Sequence, residues 1–131
     1  MLLAALAGCG GGGLDLVPVS GTLRLDGRPV EDAAVMFSPV DGGPVASGTT
    51  DAQGTFRLTT TNKPGALVGE HRVTVTKQRV TGITEEGVVA PGGMHVEWLI
   101  PERYSRADTS GLRVTVSPKE HEHTFDLSSR Q

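Results

Sequence analysis

From Leu16 onward, apolar and polar residues alternate with a period of two, the repeat of a strand with one buried face. In LVPVSGTLRL, Val17, Val19, Leu23 and Leu25 fall on one side, and Ser20, Thr22 and Arg24 on the other. AAVMFSPV repeats the pattern, with Val35 and Phe37 inward, until Pro39 ends it. VASGTTD reads as a short polar strand at a sheet edge. TFRLTT turns Phe56 and Leu58 inward, GEHRVTVTKQ does so with Val73 and Val75, and GLRVTVSP with Leu112, Val114 and Val116. EHTFDL closes the series with Phe125 and Leu127. Between these stretches lie turn signals: Asp26-Gly27, DGGP at 41–44, DAQG at 51–54 and NKPG at 62–65. The pattern predicts an all-β domain over residues 16–128, a two-sheet sandwich of about seven short strands.

One segment breaks the rhythm. Residues 78–111 read as an irregular insertion, and insertions of that length are usually functional or mobile. Within it, MHVEWLI has the alternation of an extra strand. Region 80–111 also holds Trp98, Arg103, Tyr104 and Arg106, and aromatic residues beside arginine are the types that dominate binding surfaces. These four form the candidate binding surface, for an envelope protein or a glycan. The competing reading is that Trp98 and Tyr104 cover one open end of the core.

Composition narrows the partners. The chain has 131 residues, enough for one domain with its own core. Its 12 basic and 15 acidic residues leave a net charge of −3 and no basic stripe, so nucleic acid is not an expected partner. A single cysteine, Cys9, forms no internal disulfide, and the fold must stand on packing.

Cys9 sits between an apolar run, MLLAALAG, and four glycines, Gly10 to Gly13. The run is too short to span a bilayer, which takes about 20 residues. Leu6-Ala7-Gly8-Cys9 resembles a bacterial lipobox: an apolar residue, two small residues, then the cysteine that receives a diacylglycerol. The resemblance implies that residues 1–8 are a signal segment, cut before Cys9. No Lys or Arg precedes the apolar run, which points to a signal truncated by a late start. Cys9 and the following glycines, through residue 15, then form a short lipidated tether. A product of such processing carries several acyl chains and is firmly anchored. The expected location is the bacterial cell envelope, lipid-anchored, with Gly10 favouring the outer membrane or cell surface.

The stretch PVSGTLRLDGRPVEDAAVMFSPVDGG, followed by ASGTTDAQGTFRLTT and GALVGEHRVTVTK, resembles the carboxypeptidase regulatory-like domain. The matching positions are Gly21, Pro29-Val30, Ala33 to Phe37, Thr50, Asp51, Gly54 and Phe56. IPERYSRADTSGLRVTV resembles small bacterial lipoproteins built on that domain. The resemblance implies a seven-stranded immunoglobulin-like, transthyretin-like β-sandwich. In the motif, Asp51 bonds its own turn backbone, Gly54 takes a conformation other residues resist, and Phe56 drops into the core.

The same resemblance invites an enzyme reading that the residues do not support. A peptidase zinc site needs His-x-x-Glu, and no histidine here is followed by Glu at that spacing. Transthyretin-like hydrolases of 5-hydroxyisourate end in Tyr-Arg-Gly-Ser, whereas this chain ends LSSRQ. There is no Gly-x-Ser-x-Gly elbow. His121 and His123 share the parity of Phe125, and His71 that of Val73. If they met they would suit a transition metal. The preferred reading places them at strand ends with their polar tips in water, and His95 in the long loop. No metal and no cofactor are therefore expected. The expected function is that of a non-enzymatic, lipid-anchored envelope lipoprotein, binding or structural. A carbohydrate- or protein-binding module using region 80–111 is the alternative, and a hydrolase of the transthyretin-like fold is a remote one.

Overall fold

The computed structural model describes residues 15–130 and places strands on every one of these alternating stretches. In chain order they are β1 (Leu16–Val17), β2 (Ser20–Leu25), β3 (Arg28–Pro29), β4 (Ala34–Pro39), β5 (Ala46–Thr49), β6 (Thr55–Arg57) and β7 (Thr59–Thr60). There follow β8 (Lys63–Pro64), β9 (Ala66–Leu67), β10 (Gly69–Thr76), β11 (Gln78–Thr81), β12 (His95–Trp98), β13 (Leu112–Val116) and β14 (Glu122–Leu127). A 3-10 turn at Glu102–Ser105 lies between β12 and β13.

One sheet has the order β13-β10-β4-β5-β7-β8 and is antiparallel throughout. The other is built on β2. The last strand, β14, runs parallel along one edge of β2, while β6 and β3 share its other edge, β6 at Ser20–Thr22 and β3 at Arg24–Leu25. Val35, Phe37, Val73, Val75 and Val116 of the first sheet meet Leu23, Phe56, Phe125 and Leu127 of the second, and Val19 just ahead of β2, in one core. Phe37 stands at its centre, with ring centroids 6.3 Å from Phe56 and 6.0 Å from Phe125. The neighbouring Met36 points outward, as the period of two requires.

The turns follow the sequence closely. Asp26 and Gly27 take φ of 53° and 84°, the paired positive values of a type I′ hairpin, and join β2 to β3. The Asp51 carboxylate accepts hydrogen bonds from the N–H groups of Gln53 and Thr55, each at 2.9 Å. Gly54 has φ of 78°, and Phe56 is buried.

Two expectations change. β5 is not an edge strand: it pairs with β4 along its whole length and with β7 at Ser47↔Thr59, and the sheet ends at β13 and β8. Its polar side chains reflect a wet outer face, not an unpaired edge. The insertion is also more regular than expected. β11 and β12 form an antiparallel hairpin from Gln78↔Trp98 to Thr81↔His95, extended by an isolated bridge between Ile83 and Val89.

Candidate functional site

The β11–β12 hairpin leaves the sandwich at the end of β10, and every residue in its two strands is exposed. Side chains of paired strands alternate between faces. One face carries Arg79, Thr81, His95 and Glu97 and is laced by an Arg79–Glu97 ion pair, with Nη2 and Nε at 2.7 and 3.0 Å from the same carboxylate oxygen. Both partners are solvated, so the pair contributes under about 1 kcal/mol. The opposite face carries Val80, Val96 and Trp98, exposed by 48%, 47% and 37%. Segment 80–98 holds seven of the eleven large hydrophobic residues exposed among the described residues, so exposed apolar side chains concentrate in the hairpin segment.

Its position is defined by β10. At the start of that strand, Val68 N–H donates to the Asp15 carbonyl at 3.3 Å. β10 runs for eight residues, roughly 25 Å, before the hairpin begins. The first described residue and the hairpin therefore lie at opposite ends of the sandwich.

The four candidate residues do not form one face. Trp98 is on the hairpin, and Arg106 is exposed beside Glu102 at 3.3 Å. Tyr104 is buried, which corrects its place in the candidate surface. Its hydroxyl accepts from Ser128 N–H at 3.0 Å and lies 3.3 Å from the Ser128 carbonyl. Arg103 stacks over the Tyr104 ring at 4.5 Å and donates to the carbonyls of Ser128 and Arg130, each at 2.7 Å. Together with buried Ile100, this turn caps one end of the core and pins the exit of β14. Ser129 continues the latch by donating its hydroxyl to Asp26 at 2.6 Å and its N–H at 3.0 Å, which holds the Asp26 carboxyl below its ordinary range. So the reading of aromatics as cover for an open end holds for Tyr104 and not for Trp98. Tyr104→Phe is expected to cost about 1–2 kcal/mol, because it strips a partner from the Ser128 amide. A urea unfolding curve measures the loss, and the Trp98 emission maximum should not move.

The histidines are placed differently from expectation. His71 is fully buried rather than at a strand end in water. Its Nε2 donates to the Leu67 carbonyl at 2.8 Å, since a carbonyl can only accept, and its ring lies 5.7 Å from Phe37. Nδ1 is enclosed without a hydrogen-bond partner among the described residues. His123 packs 6.0 Å from Phe37 and stacks on Phe125. Removal from water pushes its imidazole below the ordinary range, opposed by its hydrogen bond to the Glu120 carbonyl. Both rings thus act as part of the aromatic core. His121 and His95 are exposed. Among the described residues, no three His, Cys, Asp or Glu side chains gather as metal ligands. Cys9 lies outside the described residues.

A family model described as archaeal bacterial Ig-like domain matches residues 2–89, about two thirds of the chain. The chain belongs to this family. The Ig-like domain assignment agrees with the two packed sheets, and the match ends at Val89, inside the hairpin. Among solved structures, the Ig-like domain is similar to the major pilin subunit BcpA of Bacillus cereus, with 14% identity and a TM-score of 0.42. That match covers 87% of this chain and 29% of the pilin chain. A 9R-lipoxygenase from Cyanothece matches at 15% identity and a TM-score of 0.40, over 87% of this chain and 16% of its own. The Ig-like domain thus spans less than a third of either structure. No curated protein matches the sequence.

Proposed function

We propose that this Ig-like domain is a lipid-anchored, non-enzymatic module of the bacterial cell envelope, tethered through Cys9 and presenting the β11–β12 hairpin as its binding surface. The observation that carries this reading is the exposed apolar face of Val80, Val96 and Trp98 at the end of the sandwich opposite Asp15. A tether ahead of Asp15 directs that face away from the membrane and toward envelope partners, protein or glycan. Leu6-Ala7-Gly8-Cys9 supplies the processing signal, and Gly10 to Gly13 the tether. Within the Ig-like class, the finer assignment is the carboxypeptidase regulatory-like domain. It is supported by the order of Gly21, Pro29-Val30, Asp51, Gly54 and Phe56, and by the turn that Asp51 organises. The module acts by binding, not catalysis: the two core histidines are engaged in aromatic packing, where an acid–base role would need access to a substrate.

Expressed behind a complete secretory signal, the protein is expected in the membrane fraction, and Cys9→Ser in the soluble fraction with its sandwich still folded. Mass spectrometry should find a mature terminus at an acylated Cys9. Equal membrane retention of the Cys9→Ser protein overturns the anchor.

A further inference from the structure

Among the described residues the outer edges of both hairpin strands lack a strand partner, and the hydrogen bonds within the hairpin fix what the β12 edge can accept. Leu99 N–H donates to the Lys77 carbonyl at 2.9 Å. In an antiparallel ladder, positions that exchange hydrogen bonds alternate with positions that do not. Counting from Lys77 and Leu99, the pairs Arg79–Glu97 and Thr81–His95 face each other, and Val96 and Trp98 turn their N–H and C=O groups away from β11. Among the described residues no other strand pairs with β12 on that side.

We propose that this edge pairs with the same edge of a second copy, antiparallel and centred on Val96, joining two hairpins into a four-stranded sheet. The proposal rests on the hairpin being the chain's binding surface and names its partner. Outward backbone groups must meet outward backbone groups, which leaves three registers across β12. Centred on Glu97, the pairing sets Glu97 against Glu97 of the second copy. Centred on His95, it sets two histidines together and brings neither within reach of a carboxylate of the second copy. Centred on Val96, it sets His95 against Glu97 of the second copy, twice by symmetry. Those are the non-hydrogen-bonded positions, where side chains approach most closely. An imidazole N–H donor facing a carboxylate there stabilises the pairing, and two carboxylates face to face oppose it. The same register apposes Val96 to Val96 and Trp98 to Met94, so the apolar face becomes continuous across both copies. Self-pairing also removes an exposed edge that would otherwise template aggregation. A lipid surface is the less favoured occupant, because the hairpin lies at the end of β10 remote from Asp15.

The test uses the full chain carrying Cys9→Ser, which removes both lipid and disulfide chemistry. Sedimentation equilibrium is expected to approach twice the 13.7 kDa chain mass as concentration rises, with the emission of the sole tryptophan, Trp98, shifting to the blue. His95→Glu should weaken the dimer by about tenfold, since two symmetry-related pairs change from attractive to repulsive. The double variant His95→Glu/Glu97→His should restore it, because imidazole again meets carboxylate with the positions exchanged. A dimer indifferent to His95→Glu, or a double variant no tighter than the single one, overturns the register. If the chain stays monomeric while Trp98 emission shifts on adding phosphatidylethanolamine–phosphatidylglycerol vesicles or isolated cell-wall glycan, self-pairing is overturned and the binding surface stands. A monomer with no shift under either addition overturns both.

Discussion

Phe37→Ala is expected to lower the unfolding free energy by about 3–5 kcal/mol, the range for truncating a fully enclosed phenylalanine. Phe37 has no exposed surface. It lies on β4 between Val73 of β10 and Ala46 of β5, and its ring faces Phe56 and Phe125 across the sandwich. It also closes over both core histidines, 5.7 Å from His71 and 6.0 Å from His123. Collapse into the vacated volume is limited, because the surrounding rings are held on three different strands, β6, β10 and β14. Small domains hold only about 5–15 kcal/mol in total, so this one change removes a large share. A urea titration should show a lower midpoint with an unchanged slope. Met36→Ala is the internal control: one residue away on the exposed face, it should stay within about 0.5 kcal/mol. Equal effects at the two positions would contradict the period-two reading on which the fold rests.

That period made most of the fold legible. Each of the seven alternating stretches carries strand, and Phe37, Phe56 and Phe125 turn inward as their parity requires. Local chemistry was legible for the same reason that it is local. Asp51 bonds amides two and four residues on, and Asp26-Gly27 makes its turn from its own backbone preferences. Features that depend on distant partners were not. The role of Tyr104 is set by Ser128, 24 residues away, and that of Arg103 by Ser128 and Arg130. An aromatic beside an arginine looks the same in sequence whether it faces a ligand or latches a strand. His71 was misplaced because parity gives the face of a strand but not the depth of the position along it. The hairpin was only half legible. HVEW alternates correctly, yet its apolar face has no core to meet, and its pairing with β11 joins residues far apart in sequence, such as Arg79 and Glu97, 18 residues apart. The candidate surface shrinks accordingly, from four residues to the hairpin face around Trp98.

Gly21→Ala is expected to destabilise the domain by about 3 kcal/mol or more, at or beyond the top of the usual range for overpacking. In an unconstrained strand the sign would be opposite, since alanine is favoured over glycine by roughly 0.5–1 kcal/mol. Here a Cβ would stand 2.2 Å from the His123 carbonyl oxygen and 2.5 Å from Cζ of Phe56. Gly21 is flanked on both edges, by His123 of β14 and Phe56 of β6. The phenylalanine ring can tilt away, but the His123 oxygen belongs to the strand that pairs with β2 along its whole length. Relief therefore means moving β14, which also carries Phe125 and Leu127 into the core and ends at the Tyr104 latch. Urea unfolding should show the loss, and hydrogen exchange should speed up first at the β14 amides. Adding Phe56→Leu should not rescue the variant, because the limiting contact is with backbone. Gly27→Ala provides the contrast. Its φ of 84° disfavours a side chain, yet a Cβ there meets nothing within 4 Å, so the cost should stay near 1 kcal/mol. If Phe56→Leu does recover the stability of Gly21→Ala, the close approach of β14 to β2 is not what demands the glycine.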